Sequence, residues 1–383
     1  MAVTRRDFLR ILTASACAAA VVPAIPHLRR IGHAQENLDA LLEPIRAQHQ
    51  MPALGAAFVR GKEVVALGVV GRRRSDEPEP ARQNDRWHLG SCTKAMTATL
   101  LAVLVEQGKL KWDSTIAEVF PDLAQRLRTE YLQLTPVHFL SHRSGLPVDT
   151  SANHPLAAPL WGFARTLTGP LMEQRRKLLE FALSRPPASE PGRKSEYSNI
   201  GYAVAGAFAE KVAGQSWETL MRELVFQPLG MSTPGYGAPG FGAPWGHGPN
   251  FCEPIPPGPN ADNPLVIGPA GTVHASLSDW ASFASLHLLG ARGEAGLLLK
   301  QESFEWLHRD VFQQNYALGW GLARRDWTEG PALTHLGSNR RWYSRIWIAP
   351  AKSAALLSVT NCGSQNGLSA CDAAVTAMVR RFL

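Results

Sequence analysis

Ser91-Cys92-Thr93-Lys94 places a hydroxyl nucleophile three residues before an amine that can accept its proton. Tyr197-Ser198-Asn199 adds a phenol and a carboxamide, and His335-Leu336-Gly337 adds an imidazole followed by glycine. These are the parts of an acyl transfer run by Ser, Lys and Tyr in place of Ser, His and Asp. Singly each motif is weak, because S-x-x-K arises by chance roughly once in a chain of this length. Here S-x-x-K and Y-x-N each occur once. His-x-Gly occurs twice, the other copy being His88-Leu89-Gly90 directly before Ser91.

Positioning these groups requires particular elements. Thr93 to Gln107 is apolar over most of its circumference and stops at Gly108, so it predicts a buried helix with Ser91 at its head. A helix N-terminus favours negative charge, which makes the Ser91 N–H a candidate donor to an oxyanion. Lys94, one turn on, shares the face of Ser91. Desolvation there lowers an amine from its ordinary pKa of ~10.4, as a base requires. Tyr197 and Asn199 precede a helix predicted from Ile200, where a phenol can shuttle a proton and an amide can orient substrate or lysine. His335-Leu336-Gly337 ends a predicted strand, which favours it over the earlier copy. Gly337 would let an acyl group approach the strand edge closely, and the Ser338 N–H would be the second oxyanion donor. His88-Leu89-Gly90 would shape the approach to the nucleophile.

The chain ends narrow the setting. Arg5-Arg6 followed by an Ala-rich apolar run from Ile11 to Ile25 reads as a twin-arginine export signal cleaved after Ala34. Pro23 and Pro26 break the run short of the ~18 residues a spanning helix needs. A membrane anchor and lipidation at Cys17 are the alternatives. Removing residues 1–34 lowers the net charge from +7 to +3, so the basic balance gives no case for nucleic acid. Cys92, Cys252, Cys362 and Cys371 remain and form no C-x-x-C pair, so neither structural zinc nor a cofactor is expected. Cys92 reads as a small buried filler, and Cys362 and Cys371 are candidates for a disulfide in an oxidising compartment.

Strand patterns lie near both ends and helical periodicity lies between. Leu54–Val59 and Glu63–Val70 form a hairpin about Gly61, while Ala332–His335, Tyr343–Ile348 and Ala354–Val359 are strands. Asn37–Gln50 and Gly367–Phe382 are terminal helices. Helical patterns run from Val137 to Val225 and from Ser276 to Leu289. The fold class predicted is α+β: an antiparallel sheet formed by both termini, flanked by helices, with an inserted helical lobe. One lobe covers about 36–110 and 270–383 and the other about 111–269, within a single catalytic domain over 35–383. The G-x-S-x-G elbow of α/β-hydrolases is absent. Thr233–Pro269, rich in Gly and Pro, is too long for a simple connector. It is expected to border the cleft and set substrate choice through Tyr236, Phe241, Trp245, His247 and Phe251.

In order and spacing the motifs resemble the serine β-lactamase and penicillin-binding-protein superfamily, on the class C β-lactamase-like branch. The resemblance runs from about Leu54 to the C-terminus. Its markers include Gly90-Ser91-Cys92-Thr93-Lys94, Leu140-Ser141-His142-Arg143-Ser144-Gly145-Leu146-Pro147 and Tyr197-Ser198-Asn199-Ile200-Gly201-Tyr202. Pro228-Leu229-Gly230-Met231, Gly268-Pro269-Ala270-Gly271 and Leu318-Gly319-Trp320-Gly321 continue it. The resemblance implies Ser91 as nucleophile, Lys94 and Tyr197 as the acid/base pair, Asn199 as a positioning residue, and an oxyanion hole from the Ser91 and Ser338 N–H groups. It implies a small-molecule or peptide-like acyl substrate. One departure bears on which: β-lactam-active members usually carry Lys-Thr-Gly where this chain has His335-Leu336-Gly337. Leu336 has no hydroxyl and a neutral His335 no fixed charge, with Arg340 and Arg341 nearby. The readings that follow are a serine hydrolase of esters, amides or lactams, a true β-lactamase or D-alanyl peptidase, or a non-catalytic binder of a cell-envelope ligand.

Overall fold

The computed structural model describes residues 35–149, 155–249, 253–294 and 298–383. The segment read as an export signal, 1–34, including Cys17, lies outside the described residues, as do Phe251 and Cys252.

The chain opens with strand β1 (Glu36–Asn37) and helix α1 (Asp39–Gln48). Strands β2 (Ala53–Arg60) and β3 (Glu63–Gly71) form the hairpin, with Gly61 left-handed at φ 59° in its turn. After β4 (Arg86–His88) comes α2 (Thr93–Glu106). The short α3 (Ile116–Val119) and α4 (Pro136–Leu140) follow, then α5 (Ala158–Thr166) and α6 (Leu171–Leu183). Helices α7 (Asn199–Ala213) and α8 (Trp217–Met221) close this helical run. Short strands β5 (Gly235–Tyr236), β6 (Gly246–His247) and β7 (Pro254–Ile255) punctuate the Gly/Pro-rich segment. The chain then forms α9 (Gly268–Gly271), β8 (Val273–Ser276), α10 (Leu277–Ala291) and α11 (Gln301–His308). It ends on β9 (Gly321–Ala323), β10 (Ala332–Ser338), β11 (Tyr343–Ala349), β12 (Ala354–Thr360) and α12 (Gln365–Phe382).

The fold is α+β. Its main sheet has the order β1-β3-β2-β12-β11-β10-β9, so the N-terminal hairpin pairs with the last strand of the chain. Every pairing is antiparallel except β1 with β3, which makes the sheet mixed at one edge. Helices α1 and α12 cover one face, where Leu38, Leu42, Phe58, Leu356, Ala374 and Met378 form a compact cluster. The other face packs on the main core with α10 and α2.

Helix α2 is the axis of the molecule. Thr93 to Leu104 are all buried, as its uniform apolarity predicts. Glycine at 319 is required beside it, because a side chain there would run into the backbone of Lys94 and Ala95. A second sheet, β4-β8-β5, joins the strand before the nucleophile turn to the strand after α9. Helix α2 therefore starts in a fixed frame, between β10 on one side and α7 and α9 on the other.

The disulfide considered between Cys362 and Cys371 does not form. Cys371 is a buried free thiol, while Cys362 is disulfide-bonded. Cys371 sits on α12 under β12, where Ser358 Oγ donates to its carbonyl.

Candidate active site

A single 3₁₀ turn, Gly90–Cys92, delivers Ser91 to the head of α2. Gly90 is left-handed at φ 49°, and any side chain on it would strike the Ser338 backbone nitrogen. Glycine at 90 thus lets the end of β10 close on the nucleophile turn, bringing the Ser91 and Ser338 amides into one cleft wall. That is the placement an oxyanion pair needs. Gly337 has a different use from the one its motif suggests. A side chain at 337 would strike the Leu89 carbonyl and Ser344 Oγ, so the missing atoms make room for protein and not for substrate.

Lys94 is fully buried. Its Nζ donates to Asn199 Oδ1 at 2.7 Å, to the Ala270 carbonyl at 2.8 Å and to Ser91 Oγ at 3.2 Å. The ring centroids of Tyr197 and Tyr202 lie 4.7 and 5.2 Å from it. Burial pushes the amine down to about 7, against the opposing pull of Asp149 and Cys92. Three acceptors match the three N–H groups of an ammonium. When the amine is neutral, Asn199 and Ala270 retain its two N–H groups and the lone pair is left facing Ser91 Oγ. That is the geometry of a general base poised near neutrality.

Tyr197 and Asn199 are carried by the start of α7. Ser198 is the N-cap, its Oγ accepting from the Gly201 N–H at 3.2 Å. Asn199 is the first helical residue, one position earlier than periodicity predicts. The Tyr197 phenol hydrogen-bonds to Ser91 and is held well above the ordinary phenol range, chiefly by burial. It is a proton donor at neutral pH, whereas Lys94 is the group whose neutral form is populated there.

His335 lies in the cleft wall on β10 but does not reach Ser91 through any hydrogen bond of its own. Its Nε2 accepts from the Tyr316 hydroxyl at 3.1 Å and its Nδ1 lies 2.8 Å from the Leu336 carbonyl. These partners select the tautomer protonated at Nδ1. Burial, with a smaller contribution from Lys94, pushes the imidazole down to about 3, so it is neutral. The Tyr316 phenol in turn faces Tyr202 and Tyr197. Sequence reasoning missed Tyr316, which precedes the Leu318-Gly319-Trp320-Gly321 marker by two residues. It also missed Asp149, whose carboxylate sits under the start of α7.

Residues 38–377 match the family model described as Beta-lactamase. The chain belongs to the Beta-lactamase family. It is 28% identical over 350 residues to penicillin-binding protein 4 of Amycolatopsis lactamdurans, covering 86% of this chain and 85% of that protein. Esterase EstB of Burkholderia gladioli is 26% identical over 201 residues, 52% of this chain and 51% of the esterase. D-amino acid amidase from Ochrobactrum anthropi SV3 shares the fold, with TM-score 0.69 at 20% identity over 90% of this chain and 98% of the amidase. This Beta-lactamase family member is thus a serine hydrolase by lineage and α+β by fold.

The cleft of this family member encloses about 520 Å³. Ser91, Tyr197, Asn199, His335, Leu336 and Ser338 all line it. Trp161 and Ile267 add apolar wall, and Arg165 and Arg340 stand at its rim. Arg341 does not line it. Arg345 does, but is tied to Asp372 at 3.0 Å. Leu336 therefore presents an apolar side chain to the cleft, with no hydroxyl.

The segment 233–269 borders the cleft through Asn263 and Ile267. Of the aromatic residues expected to do so, Tyr236, Phe241, Trp245 and His247 do not line it, and Phe251 lies outside the described residues. His247 is buried behind the site, its Nε2 accepting from the Ser75 N–H and its Nδ1 donating to the Asn361 carbonyl. The Tyr236 hydroxyl donates to the Glu218 carbonyl, and Phe241 packs edge-on against Trp245. His88 links this segment to the nucleophile turn. Its Nδ1 accepts from the Gly90 N–H at 3.1 Å and its Nε2 meets Asp262 at 2.7 Å. Asp262 also accepts from Asn339 Nδ2 at 2.8 Å, so one carboxylate joins three walls of the cleft. Among the described residues no His, Cys, Asp and Glu cluster could hold a metal ion. Nor is any helix long and apolar enough to cross a membrane.

Proposed function

We propose that this protein is an exported serine hydrolase that cleaves an ester, amide or lactam through an acyl-enzyme. The observation that carries the reading is the buried Lys94, hydrogen-bonded to Ser91 and pushed down to about 7. Ser91 Oγ attacks the carbonyl carbon while its proton passes to Lys94. The Ser91 and Ser338 N–H groups stabilise the oxyanion, and losing one such donor costs ~3–4 kcal/mol of barrier. Tyr197 delivers a proton to the leaving oxygen or nitrogen as the C–O or C–N bond breaks and takes back the one held by the Lys94 ammonium. Water then attacks the acyl-Ser91 ester, restoring the serine and releasing an acid. His335 acts on this sequence through Tyr316. The Arg5-Arg6 pair and the apolar run after it support export, with the mature chain beginning at Gln35.

Leu336 in the cleft wall favours an ester or amide over a β-lactam, in keeping with the esterase and the amidase among the relatives. The penicillin-binding protein among them supports the second reading, a penicillin-recognising enzyme. Asn263 and Ile267 would set the substrate's shape from the 233–269 side.

A fluorophosphonate probe tests the class. Ser91 is expected to be labelled in the folded protein and Ser91→Ala to be inert; an unlabelled wild type rejects the hydrolase. Turnover of short-chain nitrophenyl esters beside nitrocefin separates the two readings, with ester turnover expected to dominate. N-terminal sequencing of the secreted form tests export, and a chain retaining residues 1–34 in the cytosol would reject it.

A further inference from the structure

Asp149 is an acidic side chain in the floor of an otherwise neutral or basic cleft, only 3% exposed. Its Oδ1 accepts from the Asn199 N–H and from Asn199 Nδ2, both at 2.8 Å. Its Oδ2 accepts from the Ile200 N–H at 2.9 Å and from Ser198 Oγ at 3.2 Å. The Ser198 hydroxyl is itself an acceptor from Gly201, so its one hydrogen is committed to Asp149. Four donors converge on two oxygens and leave no site for a carboxyl proton, so Asp149 is a carboxylate at the positive end of α7. It has no free acceptor aimed at substrate.

The consequence falls on the Asn199 amide. With Nδ2 held by a carboxylate, only Oδ1 can face Lys94, which it does at 2.7 Å. A flipped amide would set an N–H against the Lys94 ammonium and a carbonyl oxygen against a carboxylate, both repulsive. The Asn199 acceptor is one of the two that leave the Lys94 lone pair pointing at Ser91.

We propose that Asp149 is a positioning residue that fixes the Asn199 carboxamide so that Lys94, once neutral, aims its lone pair at Ser91. The proposal rests on the acyl-transfer reading above. Among the described residues, Asp149 also supplies the one carboxylate acting on Lys94. The other titratable groups around the amine are Cys92 on its own turn, His142 beyond α4, Tyr197 and Tyr202 on the α7 side, Tyr316 from the turn before β9 and His335 on β10. Burial holds His142 and His335 neutral and keeps the phenols and thiol protonated, so none replaces the Asp149 charge.

The test is the pH dependence of Ser91 labelling by a fluorophosphonate, in which the Oγ–P bond forms, fluoride leaves and the hydroxyl proton passes to Lys94. Asp149→Asn removes the charge and the lock together. Its acid limb is expected to move down by about one pH unit, as loss of a nearby opposite charge predicts. Its plateau rate is expected to fall about 10²-fold from misaim. Asp149→Glu keeps the charge but displaces the lock, so its plateau should fall while its acid limb stays with wild type. Should Asp149→Asn fail to fold, Asn199→Leu cuts the same link with the carboxylate in place, and wild-type labelling by that variant overturns the proposal. Unchanged limb and plateau in folded Asp149→Asn overturn it as well. An unlabelled wild type instead rejects the hydrolase reading itself.

Discussion

In the proposed mechanism Tyr197 and Lys94 divide the proton chemistry by their environments. Both are buried, but burial moves a phenol up and an amine down, so the same desolvation makes one a donor and the other an acceptor at neutral pH. Tyr197→Phe tests this division. The ring stays against His142, whose centroid is 4.2 Å away, so packing is retained and only the hydroxyl goes. We expect labelling and ester turnover to fall by about 10²–10⁴-fold, the range for loss of a positioned acid or base, with a urea midpoint close to wild type. Full activity in the variant would remove Tyr197 from the chemistry. Ser91, Lys94, Tyr197 and Asn199 were legible in the sequence because each pair sits within one helical turn, where spacing dictates proximity. Asp149 was not, because its partners lie fifty residues on and meet it only when the chain after α4 folds beneath α7. His335 was legible as a cleft residue, but its link to Tyr316 depends on how β10 packs, which spacing does not encode.

At the scale of elements, the site depends on a buried ion cluster on the far side of α9. Arg175 of α6 pairs with Glu210 of α7 and Glu218 of α8, and donates to the Leu265 and Val266 carbonyls at 3.2 Å each. Those carbonyls lead into α9, whose Ala270 carbonyl holds Lys94. Arg175→Met would strand the two carboxylates without a cation and release the 265–267 turn. We expect a loss of about 3–5 kcal/mol, the cost of breaking one side of a buried pair, with slowed Ser91 labelling in the protein that remains folded. Urea unfolding followed by labelling below the transition measures both, and a midpoint shift under about 1 kcal/mol would show the cluster to be dispensable. Such a cluster carries no spacing signal, since its three charges come from three helices. The elements themselves were legible where they are long or strongly patterned: α2 by uniform apolarity, the β2–β3 hairpin by Gly61, the last three strands by their apolar runs. Strands β4, β5 and β8 were not, because two to four residues pair by tertiary placement and too few repeats exist for a period to show.

At the scale of the whole molecule, histidines are buried neutral at separate points of the fold. His335 stands in the cleft wall, His274 on β8 lies 2.9 Å from the Gly237 carbonyl at the root of the 233–269 segment, and His308 on α11 meets His287 on α10 at 2.9 Å. Burial pushes His335 and His308 down to about 3 and His274 to about 4. A base whose folded pKa is depressed contributes stability that is present above its unfolded value of ~6.5 and is lost as pH falls toward the folded value. Each such imidazole then costs up to about 1.4 kcal/mol per pH unit. Such a loss bears directly on the ~5–15 kcal/mol that holds a whole domain. The carboxyl of Glu210, raised by burial, offsets part of this loss where it takes up a proton in the folded state. We therefore expect the urea midpoint to drop steeply below pH 6.5 and the protein to unfold before pH 3. His308→Gln, distant from the cleft, should flatten the slope while leaving Ser91 labelling at pH 7 unchanged. A midpoint constant from pH 7 to pH 5 would show that these imidazoles find proton acceptors or water when the folded protein is acidified. The separation matters for the enzyme, because acid inactivation then has two routes: protonation of Lys94 with the fold intact near pH 7, and unfolding driven by the histidines well below it. Labelling rate and fluorescence measured on the same samples across pH would resolve the first limb from the second.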